Sequence, residues 1–249
     1  MSARRPFPLF YQGVQMERGV LLIHGFTGST RELDPLARYL HQQGLTVHAP
    51  LLKGHGTTPE EMSRTTWVDW WASALKGYRL LKEKGCRQLV VIGFSMGGLL
   101  ALKLAQYQQV NGIVSLCTPL VVRDPRLGLA RYVSSMWPYV KRRRQKPAHI
   151  ERHLYIYEQT PVACVASLQA LMENVRLMLP VIKAPILVIQ AERDETVHPL
   201  SAQLLYQQVA SQDKTLRFFS RSGHMITLDH DRDAVQEEIA RFIRRVIDA

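Results

Sequence analysis

The stretch from Leu89 to Gln106 leaves a chain very few ways to fold. Leu89-Val90-Val91-Ile92 is an unbroken apolar run, Gly93-Phe94-Ser95-Met96-Gly97-Gly98 follows at once, and Leu99 to Gln106 is built of helix formers. A strand with no polar alternation is covered on both faces, and one that passes straight into a helix begins a crossover in a parallel sheet. The serine between the two must take a sharp, strained turn. Glycines two residues to either side leave room for the backbone that closes around it.

The same rhythm continues along the chain. Val20 to Ile23, Leu45 to Ala49, Ile113 to Leu116, Ile186 to Ile189 and Leu216 to Phe219 repeat the short apolar run. Between them, Arg31 to Gln43 and Trp67 to Lys84 read as helices, ended by Gly44 and Gly85 in the left-handed conformation that closes a helix. Val235, Ile239, Phe242, Ile243 and Val246 lie at helical spacing in the last segment, so one face of it packs on the sheet. Strands alternating with helices predict a doubly wound α/β sheet. At 249 residues and 46% hydrophobic, the chain suffices for one such core with a modest insertion.

The insertion falls at residues 119–183, between a core of 1–118 and 184–249. It shows no buried-strand run and reads as a small helical cap. Eleven Lys and Arg against four Asp and Glu make it the source of most of the chain's +11 charge. The run Lys141-Arg142-Arg143-Arg144-Gln145-Lys146 fits a solvated turn; it also fits weak association with an anionic membrane surface or steering of a negatively charged substrate. Leu127, Leu129, Met136, Trp137 and Tyr139 would either line an apolar pocket or pack the cap on the core.

Basicity without a nucleic-acid-binding motif predicts no nucleic-acid partner. Cys86, Cys117 and Cys164 are widely spaced, which suggests neither a disulfide framework nor a zinc site. The first ten residues lack the apolar run of a signal peptide, and no stretch reads as the roughly 18 apolar residues of a membrane span. The expectation is a soluble, cytoplasmic protein.

The serine turn is also a chemical signal. A G-x-S-x-G between strand and helix exposes the hydroxyl at the C-terminal edge of the sheet, with the positive end of the following helix aimed at the same point. The plainer reading is a glycine-rich turn with an incidental serine. A hydroxyl needs a base poised near neutral pH to become a nucleophile, which points to histidine. His41, His149, His153 and His230 read as surface or capping residues, and His24 and His55 as loop residues near the site. His224, in Ser222-Gly223-His224, follows the last strand, where this order of elements places the base. Its acidic partner should follow the Ile186–Ile189 strand, where Glu192, Asp194 and Glu195 compete. Asp194 is best placed to curl over the sheet edge. Two N–H donors for a developing oxyanion are expected from Met96 and from the His24-Gly25-Phe26-Thr27-Gly28 loop, at Phe26.

Six blocks together carry a wider resemblance: HGFTGS at 24–29, LKGHG at 52–56, DWW at 69–71, GFSMGG at 93–98, QAERDETVHP at 190–199 and SGHMITLDHD at 222–231. In these the chain resembles small bacterial carboxylesterases similar to monoacylglycerol lipases. The resemblance implies the α/β-hydrolase fold, with a mostly parallel sheet of about seven strands flanked by helices and a helical lid over 119–183. It implies a triad of Ser95, Asp194 and His224 and oxyanion donors at Phe26 and Met96; that chemistry on a small ester substrate requires no metal or organic cofactor, and the small cap suggests short to medium acyl chains. The expected state is a monomer or weak dimer. A thioesterase, acyltransferase or carbon–carbon bond hydrolase would use the same residues. A serine at 95 disfavours haloalkane dehalogenase chemistry, and an intact triad disfavours a non-catalytic receptor on the same fold.

Overall fold

The computed structural model describes residues 5–125, 130–134, 136–141 and 146–248, the side chain of residue 131 excepted. Among the described residues seven strands form one sheet, in the order β1-β3-β2-β4-β5-β8-β9. These are β1 (Leu9–Tyr11), β2 (Gln15–Ile23), β3 (Leu45–Ala49), β4 (Gln88–Phe94), β5 (Gly112–Leu116), β8 (Ile186–Ala191) and β9 (Lys214–Phe219). Every pairing is parallel except that of β1 with β3. The six apolar runs of the sequence are the six parallel strands. β1 was not expected, since three residues at a sheet edge carry no periodicity to read.

Alternate residues of each strand feed two cores. Leu21, Ile23, Val91, Ile113 and Val188 face one side, with α3 (Trp67–Glu83), α4 (Met96–Tyr107) and α8 (Leu200–Gln208). Val20, Leu22, Ile92, Val114 and Ile189 face the other, with α1 (Asp34–Gln42) and α9 (Arg232–Ile247). Both faces are therefore covered, which is why the strands read as continuous apolar runs. Gly44 and Gly85 close α1 and α3 at φ +87° and +92°, as the helix-stop signal predicts. A short helix, α2 (Pro59–Ser63), carries Met62 into the core between β3 and α3.

The 119–183 insertion contains α5 (Ala130–Val133), β6 (Tyr139–Lys141), α6 (Ala148–Glu151), β7 (Gln159–Pro161) and α7 (Val162–Met178). β6 and β7 form a separate antiparallel ribbon with no fully buried run, so its strands leave no buried-strand signature. α7 packs against α3 and α4 and sends Cys164, Leu171 and Val175 into the main core. With the short turn that follows, Val162–Val181 is long and apolar enough to cross a membrane, contrary to the expectation that no stretch would be. Its inward face is the core contact just described, which accounts for its composition. Met136 and Trp137 are exposed, 70% and 60%, and so are not packed into the core. Leu127, Leu129 and the stretch 142–145 of the basic run lie outside the described residues.

Candidate active site

The strand-to-helix turn after β4 is strained as the sequence requires. Ser95 sits at φ 52°, ψ −122°, held by its N–H to Leu116 O (2.8 Å) and by Gly98 N–H to its carbonyl (2.9 Å). Such a conformation costs about 1–3 kcal/mol and persists only when the surroundings dictate it. A Cβ on Gly93 would lie 2.1 Å from Gly97 O, and one on Gly97 2.0 Å from Ile23 O and 2.7 Å from His24 O. The close approach of α4 to the end of β2 thus needs glycine. It also sets the first turn of α4 beside the loop after β2.

Loops at the C-terminal ends of β8 and β9 bring two further groups to Ser95. His224 Nε2 lies 3.0 Å from Ser95 Oγ, and its Nδ1 lies 2.8 Å from Asp194 Oδ2. Asp194 also accepts the N–H groups of Thr196 (2.9 Å) and Val197 (2.8 Å) on Oδ1 and the Gln190 amide (3.0 Å) on Oδ2. Burial alone would raise the pKa of Asp194. The facing His224 and the two N–H donors outweigh it and hold the carboxyl below its ordinary value. An acceptor-only carboxylate assigns the Nδ1 proton to His224, which leaves the Nε2 lone pair toward the serine hydroxyl.

The competing carboxylates are elsewhere. Glu192 is exposed. Glu195 accepts the His224 backbone N–H at Oε2 (2.9 Å), and its Oε1 meets Lys146 Nζ of the insertion. Burial would raise its pKa, but Lys146 and the His224 N–H hold it low. In the sequence Glu195 stands only as a competitor for the acid, because a contact between residues 29 positions apart has no local signature.

Phe26 lies in the loop after β2, where Thr27 takes φ 56° and Gly28 N–H closes a turn on Gly25 O (3.2 Å). Met96 opens α4, so its N–H is among those a helix start leaves without an intrahelical acceptor. Beneath Phe26 is a buried carboxyl absent from the sequence reading. Glu32 Oε1 accepts the Gly25 N–H (2.7 Å), and the Glu32 carbonyl accepts Thr227 Oγ1 (3.1 Å) from the loop of His224. Burial raises its pKa to about 7 against the pull of the Gly25 and Ser29 N–H groups.

His24 and His55 do shape this loop, from below. His24 Nε2 accepts the Leu52 N–H (3.1 Å), so Nδ1 donates to Gly25 O (3.0 Å), and burial lowers its pKa to about 4. His55 packs edge-on against Trp70 and beside His24, also held neutral by burial. The insertion closes over the loop through Ala130, Val133, Val162 and Val165, which pack with Phe26. On the histidine side, a cavity of about 300 Å³ is lined by Lys146, Ile150, Glu195, His224 and Met225. A hydroxyl hydrogen-bonded to an imidazole that a carboxylate holds in turn, beside a helix start and apolar walls, is an arrangement able to carry out acyl transfer.

Comparison with known proteins places the chain among relatives of known family. Residues 15–231 match the family described as serine aminopeptidase, S33. The chain is 35% identical over 246 residues to a carboxylesterase of Bacillus subtilis (strain 168), covering 99% of each. It is 36% identical over 234 residues to a thermostable monoacylglycerol lipase of Bacillus sp. (strain H-257), covering 91% of this chain and 90% of that one. A solved structure from work on LipS and LipT, two metagenome-derived lipolytic enzymes, superposes with a TM-score of 0.91 at 31% identity, over 98% of this chain and all of the other.

Proposed function

Because the chain belongs to the serine aminopeptidase S33 family, within the α/β-hydrolase fold, we propose that it is a carboxylesterase acting on short to medium chain carboxylic esters, monoacylglycerols among them. The observation that carries the proposal is the unbroken line of hydrogen bonds from Ser95 Oγ through His224 to Asp194. Esters rather than amides are favoured by the activities named for the Bacillus relatives.

Ser95 Oγ attacks the ester carbonyl while His224 Nε2 takes its proton. The Asp194 carboxylate stabilises the imidazolium that results. The tetrahedral oxyanion is held by the N–H groups of Phe26 and Met96. Collapse breaks the carbon–oxygen bond to the alcohol, which leaves with the proton from Nε2. Water then gives its proton to Nε2 as its oxygen attacks the acyl-serine, and a second collapse releases the carboxylic acid and restores Ser95. The 119–183 insertion serves as the lid, with α7 anchoring it and the apolar cluster around Phe26 receiving the acyl chain. Three buried free cysteines suit a reducing, cytoplasmic setting.

Hydrolysis of p-nitrophenyl esters from acetate to palmitate, by the native protein and by Ser95→Ala, tests the reading. Activity that peaks at one chain length and vanishes in the variant is expected. Equal or absent activity in both would overturn it.

A further inference from the structure

Among the described residues, one cluster outside the acyl-transfer residues gathers ligating atoms from separate parts of the fold. His149 lies in α6 of the insertion, while Asp229 and His230 precede α9 in the loop that carries His224. His149 Nε2 and His230 Nε2 lie 3.2 and 3.6 Å from the same oxygen, Asp229 Oδ1. The three ligand atoms all fall within 4.8 Å of one another. A tetrahedral zinc site with arms of 2.0–2.2 Å has ligand atoms roughly 3.4 Å apart, so both measured edges are close to that spacing. We propose that His149, Asp229 and His230 bind a divalent transition metal ion of the zinc class, with solvent as the fourth ligand.

Two neutral imidazoles and one carboxylate suit that class of ion better than magnesium or calcium, which favour all-oxygen sites. The site has orienting contacts of the kind such ligands use: Asp229 Oδ2 accepts the Gly223 N–H at 2.8 Å and Oδ1 the His230 N–H at 2.9 Å, which fix the carboxylate plane with Oδ1 toward the imidazoles. Asp229 is less than one-tenth exposed, whereas His149 and His230 are 39% and 66% exposed, so the ion has a path from solvent. The other group with ligand spacing among the described residues, Cys117, Asp194 and His224, is buried and contains the histidine–carboxylate pair assigned to catalysis.

The position gives the ion a consequence. It staples α6 of the insertion to the loop that carries His224, beside the 300 Å³ cavity that Ile150, Asp229 and His224 line together. Metal binding therefore stabilises the fold by linkage and restrains the insertion during turnover.

Calorimetric titration of Zn²⁺ alone into the full-length protein tests this, with Co²⁺ absorbance reporting tetrahedral coordination. One equivalent should bind, with affinity lowered at least about tenfold by His149→Ala and by His230→Ala and kept in Ser95→Ala and His224→Ala. Zn²⁺ should raise the thermal midpoint of the native protein and slow its ester hydrolysis, and do neither to His149→Ala, whose metal-free activity is unchanged. His149→Gln provides a second test should the alanine variant fold poorly. Absence of binding, binding that survives both ligand variants, or binding lost only with His224 would each overturn the proposal.

Discussion

Glu195 holds His224 by its backbone: one carboxylate oxygen accepts the His224 N–H at 2.9 Å, while the ring itself is held by Asp194 at 2.8 Å. The second Glu195 oxygen meets Lys146, so this carboxylate ties the insertion to the backbone of the base. Glu195→Ala should leave the buried His224 N–H unsatisfied, at a cost of about 1–3 kcal/mol in stability. A base displaced by a fraction of an ångström should lower kcat about 10- to 100-fold with little change in KM. Glu195→Gln keeps an acceptor and should recover most of the loss. Urea unfolding and steady-state ester hydrolysis on the three proteins decide this.

Glu32 sets a slope in the stability of the protein with pH. Its carboxyl is raised by burial from 4.5 to about 7 in the folded state. Between those values the folded chain binds a proton that the unfolded chain has released, so stability falls as pH rises from about 4.5 to 7 and then levels. The fall from this group is on the order of 3 kcal/mol. Glu32→Gln stays neutral throughout and should lack that descent. Thermal midpoints from pH 5 to 8 should diverge for native protein and variant, and parallel curves would sink the assignment.

The two carboxyls show where sequence reading reaches and where it stops. The strained turn at Ser95 was legible because it is encoded in six consecutive residues between a strand and a helix. His224 and Asp194 were legible because each follows an apolar strand in a fixed order, so position along the chain stands in for position in space. Glu32 and Glu195 have no such marker. Each supports the site through a backbone N–H seven or 29 residues away, and backbone groups are the same in every residue. The edge strand β1 was missed because three residues are too few for a period, and the exposure of Trp137 because an apolar side chain announces burial whether or not the fold supplies it.

Asp194→Asn should separate orientation from charge. An amide in place of the carboxylate can donate to Nδ1 and so favours the tautomer that turns a proton, not a lone pair, toward Ser95. Loss of kcat by about 10⁴-fold is expected. The same group contributes to acid stability with the opposite sign to Glu32. Its folded pKa lies below the ordinary 3.8, so its contribution is present above that value and lost as pH falls through the lower, folded one. Acid unfolding followed by circular dichroism below about pH 4 should be less steep in the variant.

Two glycines that look alike in the sequence should fail for different reasons. Gly85 ends α3 at φ +92° with nothing within 4 Å of a built Cβ, so Gly85→Ala meets only backbone strain, about 1 kcal/mol. Gly97 is not among the positive-φ residues, yet its Cβ would enter the carbonyls of Ile23 and His24 at 2.0 and 2.7 Å. Those carbonyls belong to the end of β2 and the start of the Phe26 loop, which cannot retreat without moving the proposed oxyanion donors. Gly97→Ala should therefore cost at least about 1–3 kcal/mol by overpacking. It should also depress kcat in whatever protein still folds, whereas Gly85→Ala, at the opposite end of β4 from Ser95, should leave kcat at its native value. Denaturant midpoints and turnover measured on both variants test the distinction, and an equal effect on turnover would show that the approach of α4 to β2 does not set the geometry of the site.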